Sequence, residues 1–213
     1  MRFQPTKLNF DGTAGAGPDE ADGLPSPKLV KLKARRLAGI KEASQCLANL
    51  PGPCESLHVV ATSRMDLTDV INCLIERLGK CNRITIATLG YNAKNLKQML
   101  GWLDEKKVKT LTLLASIFYR SHNGELWSQT LDEFRSRGQR AACCHSHAKV
   151  ITLEFASGEK LAIEGSANLC GNGSGREQFA LINDAGLHDW HTAWINELVT
   201  KHEGKEAGEK VAP

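Results

Sequence analysis

Four kinds of side chain in the second half of the sequence suit chemistry on a phosphate. His147 and Lys149 bring an imidazole and an ammonium, and Gly165-Ser166-Ala167-Asn168 brings a hydroxyl and a carboxamide. An imidazole can attack or pass a proton, and the other three can hold anionic oxygens. For these groups to act together, some element must bring them to one place. The run Lys149 to Phe155 is rich in β-branched and large apolar residues, Ser157-Gly158 reads as a turn, and Leu161 to Ile163 reads as a return strand. On a strand, residues two apart share a face, so His147 and Lys149 are expected to point the same way. With Ser157 and Gly158 as a two-residue turn, antiparallel pairing sets His147 opposite Asn168 and Lys149 opposite Ser166. The same alternation directs Glu154 away from His147. A lone His on a strand is more often a core or surface residue, and Gly-Ser-x-Asn alone is a common turn. Ordered within one hairpin, they read as a site.

The pattern resembles the phospholipase D superfamily, whose signature is His-x-Lys, a carboxylate five residues after the Lys, then Gly-Ser-x-Asn. Here those positions are His147, Lys149, Glu154, Gly165, Ser166 and Asn168, with Glu154 where the family usually has Asp. The resemblance is specific over about residues 145 to 185. Only one such motif is present, which is the pattern of the short, endonuclease-like branch. That branch implies a homodimer in which two copies share one site. It also implies a metal-independent reaction through a phosphohistidine on His147. The second copy's His147 would act as acid and base, and Lys149 and Asn168 would hold the oxygens with Ser166 in support. Family members carry an acid in the region of Glu177, which would orient an imidazole. Gly165, Arg176 and His145 are the expected substrate-binding neighbours, with Tyr119-Arg120-Ser121-His122 at the mouth.

Elements that could position such a site alternate through the chain. Leu57 to Ala61, Arg83 to Ala87 and Lys109 to Ile117 read as strands, while Asp66 to Leu78, Asn92 to Glu105 and Glu125 to Arg137 read as helices. This order predicts an α/β fold, a mixed β-sheet flanked by helices on both faces, here a phospholipase D-like half-domain over residues 55–202. His188 to His202 is expected to close the fold as a helix, with Trp190, Trp194, Ile195 and Leu198 on roughly one side. Residues 1–27 have too few apolar residues to bury and read as a disordered arm, and 203–213 as a flexible tail. Between arm and core, residues 28–50 read as a basic amphipathic helix, a solvated face or a contact for nucleic acid.

Composition narrows the classes. The chain has 213 residues, a formal charge of +3, and no apolar run long enough to cross a membrane. The start of the chain lacks a secretory pattern, which predicts a cytoplasmic location. Seven cysteines, an odd number, predict free thiols rather than a disulfide framework. The cluster Cys143-Cys144-His145 with Cys170 and His188-x-x-His191 invites a zinc reading, but adjacent strand residues face opposite ways and no Cys-x-x-Cys is present. We therefore expect no metal and no cofactor. The expected function is a phosphodiesterase, a nuclease acting on nucleic acid or another phosphodiester. The alternatives are a non-catalytic phosphate- or nucleic-acid-binding module and a lipid-directed phospholipase.

Overall fold

In the computed structural model, residues 41–62, 65–170 and 175–204 are described. The expected disordered arm 1–27 and the basic part of the expected helix lie outside them, as does nearly all of the expected tail. The described end of that helix, α1 at 41–46, buries Ala43, and Leu47 follows it into the core. The rest of the chain runs β1 (Glu55–Thr62), α2 (Leu67–Leu78), β2 (Cys81–Thr88), α3 (Ala93–Asp104), β3 (Val108–Ser116), α4 (Ile117–His122) and α5 (Gly124–Ser136). It continues with β4 (Arg140–Cys144), β5 (Val150–Phe155), β6 (Lys160–Gly165), β7 (Arg176–Asn183) and α6 (Ala185–His202).

The seven strands form one mixed sheet in the order β1-β7-β6-β5-β2-β3-β4. β2, β3 and β4 are parallel, and the remaining neighbours are antiparallel. Helices cover both faces, as the alternation of apolar segments predicts. On one face, α2, α3 and α5 bury Leu74, Met99 and Trp127 against strand residues such as Ile86, Leu113 and Leu153. On the other face, among the described residues, α6 lies across the sheet, with Ile195 and Val199 against Ala87, Leu114, Ala142, Cys144 and Val150. Central strands are buried on both sides, so they read as continuous apolar runs rather than alternating ones.

Two expectations are corrected. The β5–β6 hairpin is one residue out of the expected register: Val150 pairs with Glu164 and Glu154 with Lys160. Its loop is Ala156 to Gly158, closed by Phe155 N–H donating to Glu159 O at 2.8 Å, with Gly158 at φ 91°. A two-residue hairpin turn of the usual kind with Ser-Gly needs Ser157 at positive φ, which a non-glycine residue resists. A three-residue loop needs only one left-handed position, and Gly158 fills it. The register puts Lys149 beside Gly165 instead of Ser166, and β5 begins only at Val150, so His147 and Lys149 precede the strand.

The second correction concerns α6. Its buried stripe is His188, His191, Thr192, Ile195 and Val199, while Trp190 is 62% exposed. Polar residues can occupy this stripe because the sheet below supplies partners. Thr152 and Thr192 share a hydrogen bond of 2.8 Å, and His191 is bonded to Glu164.

Candidate active site

The parallel strands end at Thr88, Ser116 and Cys144, on the same sheet edge where β5 starts and β6 ends. The chain leaves β4, at one border of the sheet, and next enters β5, three places away. Residues 145–149 must therefore cross the carboxyl ends of β3 and β2, a span of about 14 Å at strand spacing. Six residue steps from Cys144 to Val150 could reach about 20 Å, enough to make the crossing with slack, and His147 is its midpoint. Open α/β sheets bind ligands at this kind of edge, outside the carboxyl ends, where the direction of winding changes.

The crossing is anchored at Ala148. Ala148 is partly buried against the α6-side core, as Trp194 and Leu198 of α6 also are. His147 is exposed and Lys149 partly so. Trp194 in turn is fixed from below, because its indole N–H donates to His191 Nδ1 at 2.9 Å. A nitrogen that accepts carries no hydrogen, so the ring's hydrogen sits on Nε2 and is donated to the Glu164 carboxylate. Glu164, His191 and Trp194 thus form a chain from β6 into α6, beside the core against which Ala148 of the His147 loop also packs. Sequence reading treats His191 only as a candidate metal ligand. What it lacks is the knowledge that α6 lies across β6.

The second half of the motif starts where β6 meets β7. Gly165 N–H donates to Lys149 O at 3.4 Å, which ties the two halves together. Gly165 has a reason to be glycine independent of substrate. A Cβ there would lie 2.2 Å from the Gln178 carbonyl oxygen and 2.7 Å from Phe179 Cα, both backbone atoms. Ser166, just beyond the strand, donates to Glu177 Oε2 at 2.6 Å and accepts from Gln178 N–H at 3.1 Å. Glu177, nine residues beyond Asn168, is thereby carried back to the motif by β7. Asn168 is half-buried, and its Oδ1 is buried with no hydrogen-bond partner among the described residues. The following carbonyl, of Leu169, accepts from Asn95 Nδ2 at 3.3 Å, and Asn95 also reaches Thr68 and Asp66. This cluster at the start of α3, with Lys94 on Asp66 at 2.6 Å, holds the loop after the motif, and only the α2–α3 packing reveals it.

The ammonium of Lys149 is turned back onto the carbonyl of His147 at 3.0 Å, which keeps it beside the imidazole's own residue. Glu154, at the other end of β5, is 4.0 Å from Arg83. His145 and Arg176 are exposed, Arg176 at the first position of β7. In α4, Tyr119 is buried, its ring 4.5 Å from that of Tyr91, and burial pushes its hydroxyl up to about 12. The cysteines suggested as zinc ligands lie in separate layers, Cys143 in one core and Cys144 in the other. Burial raises the Cys144 and Cys170 thiols, the latter also under the influence of Asp66. No group of three or more metal-ligating side chains occurs among the described residues. No helix among them is long and apolar enough to cross a membrane.

No family model and no curated protein matches the sequence. Solved structures do match in fold. The phospholipase D family member Nuc from Salmonella typhimurium is 13% identical with a TM-score of 0.49, over 70% of this chain and 96% of that one. TrmBL2, an archaeal chromatin protein, is 15% identical with a TM-score of 0.47, over 82% of this chain and 63% of that one. Polyphosphate kinase from Porphyromonas gingivalis is 11% identical with a TM-score of 0.50, over 87% of this chain and 31% of that much longer one. At these identities the likeness is one of fold, and activity must be argued from the site.

Proposed function

From a chain with a phospholipase D-like fold and this site, we propose a phosphodiester hydrolase, a nuclease, that works without a metal at a site completed by a second copy of the chain. The observation that carries the reading is the bond from Gly165 N–H to Lys149 O, which sets His-x-Lys and Gly-Ser-x-Asn side by side at the carboxyl edge of the sheet.

A phosphodiester resists attack because it is anionic. The site must neutralise its oxygens, present a nucleophile in line and protonate the leaving oxygen. In the proposed reaction, His147 attacks phosphorus and forms a P–N bond as the P–O bond to the leaving group breaks. His147 of the second copy gives its proton to that oxygen. It then takes a proton from water, the water oxygen attacks phosphorus, and the P–N bond breaks. The products are a phosphomonoester and an alcohol, and both imidazoles return to their starting states. Lys149 and Asn168 from each copy hold the non-bridging oxygens. Asn168 would do so through its Nδ2 donors, since its Oδ1, buried with no hydrogen-bond partner among the described residues, can only accept. Ser166 supports the arrangement, and Glu177 stabilises the imidazolium. His145 and Arg176, both exposed at this edge, flank the substrate.

The test is incubation with single-stranded DNA, duplex DNA, RNA and a generic phosphodiester, with and without chelator, using the wild type and His147→Asn. Cleavage that survives chelation and is lost in His147→Asn is expected. Binding without cleavage by the wild type would instead favour a non-catalytic module.

A further inference from the structure

Three large apolar side chains stand out as exposed among the described residues, and Phe118 is one of them at 58%. It sits on α4, which starts directly after β3. Ser116, the last residue of β3, pairs with Cys144, the last of β4, just before the crossing that carries His147. Phe118 therefore lies at the same sheet edge as His147, on the side of β3 and β4.

An exposed phenylalanine by itself needs no explanation. Here it is paired with a second ring, also exposed and held in place. The ring centroids of Phe118 and His122 are 4.3 Å apart at an interplanar angle of 40°. His122 Nδ1 is 2.8 Å from the Phe118 carbonyl, and because a carbonyl only accepts, the hydrogen must be on Nδ1. Ser121 Oγ donates to the same carbonyl at 2.8 Å and lies 3.0 Å from that nitrogen. A surface histidine is ordinarily free to turn, whereas this one is pinned against its neighbour. Beneath them Tyr119 is buried on Tyr91 and fixes the helix. The result is a rigid pair of exposed rings that loses little side-chain freedom when something flat is laid on it.

We propose that Phe118 and His122 form a shelf on which a base of single-stranded nucleic acid stacks, a few nucleotides from the phosphate held at His147. The inference rests on the nuclease reading and names its substrate class. Aromatic faces beside a phosphate-holding edge suit single strands, whose bases are unstacked and available, and not duplexes, whose bases already stack on one another. The shelf confers no sequence preference, since every base has a face to offer.

The test is equilibrium binding of a single-stranded oligonucleotide and an abasic strand of equal length, in chelator, to full-length His147→Asn protein with and without Phe118→Ala. Phe118→Ala is expected to weaken binding of the base-bearing strand by about tenfold or more and leave the abasic strand unchanged, while Phe118→Trp retains binding. Because Phe118 is exposed, unfolding temperatures should stay close to the parent's. Equal binding of the base-bearing strand with and without Phe118 overturns the shelf while the nuclease reading stands. If the wild type neither binds nor cleaves any strand, the nuclease reading fails and the shelf with it. A change in solution mass on Phe118→Ala, with oligonucleotide binding unaltered, assigns the patch to protein contact and also overturns the proposal.

Discussion

Gly165 and Gln178 approach so closely that a methyl group on Gly165 would stand 2.2 Å from the Gln178 carbonyl oxygen. The site depends on this contact, because Ser166 reaches Gln178 and Glu177 only while β6 and β7 are at this separation. Gly165→Ala is expected to push the strands apart and cost about 1–3 kcal/mol, as overpacking against a rigid neighbour does. For a domain of this size that is a fall of several degrees in unfolding temperature, read by thermal denaturation. An unchanged temperature would mean that β7 yields freely and does not hold the motif.

Glu177 and Ser166 separate charge from geometry. Glu177→Gln keeps an acceptor for the Ser166 hydroxyl, so folding should be preserved, but it removes the carboxylate proposed to stabilise the imidazolium. Turnover is expected to fall by about 10²-fold with little change in KM. Ser166→Ala should cost less. A Glu177→Gln enzyme with full turnover would deny Glu177 a part in catalysis and leave it a structural residue.

Trp194 of α6 packs against the same core as Ala148, in the crossing that carries His147. Trp194→Phe keeps most of the ring but leaves His191 Nδ1 without its donor, at a cost of about 1–3 kcal/mol. Trp194→Ala also opens space beside the core on which Ala148 packs and is expected to cost about 3–5 kcal/mol. If the loop is positioned from below, both variants lose kcat more than they raise KM. Parallel losses that track unfolding alone would deny Trp194 a positioning role.

Acid is expected to weaken the fold through His188. Its ring is buried, and burial lowers its pKa despite the opposing pull of Asp189. The unfolded chain therefore binds the proton more readily than the folded one. The contribution is present above the ordinary histidine value and is lost as pH falls from there toward the depressed folded value. Asp189, held below the usual carboxylate range by Lys160 and then His188, acts in the same direction at lower pH. Unfolding temperature measured across pH 8 to 5 should drop on the acid side, and His188→Gln should flatten the upper part of that drop. An identical profile in the variant would place the acid sensitivity elsewhere.

The α/β class and nine of the elements are legible from apolar runs and turn signals because both faces of the sheet are covered, so core strands stand out as apolar runs. β4 and β7 are less visible. β4 is a run of five residues with two cysteines and an arginine, and β7 opens on Arg-Glu-Gln, so neither shows the expected pattern. The grouping of His147, Lys149, Ser166 and Asn168 is legible from their order alone. Their arrangement is not, since it depends on where the hairpin loop places its one left-handed residue and on β5 lying three strands from β4. The partners of the site, Trp194, His191 and Asn95, come from helices distant in sequence, and no local pattern announces them.

If one site uses two copies of His147, the protein should have the mass of a dimer in solution, and specific activity should fall on dilution below the dissociation constant. A fully active monomer would contradict the shared site.

The most direct test of the central claim is to quench a reaction with an oligonucleotide in the presence of chelator and examine the peptide carrying His147 by mass spectrometry. We expect an acid-labile phosphoryl adduct on His147 that bears one product strand, forms within a single turnover, and is absent from an inactive His147→Asn enzyme. Cleavage that continues in His147→Asn, or that stops with chelator and returns with a divalent metal, would contradict it.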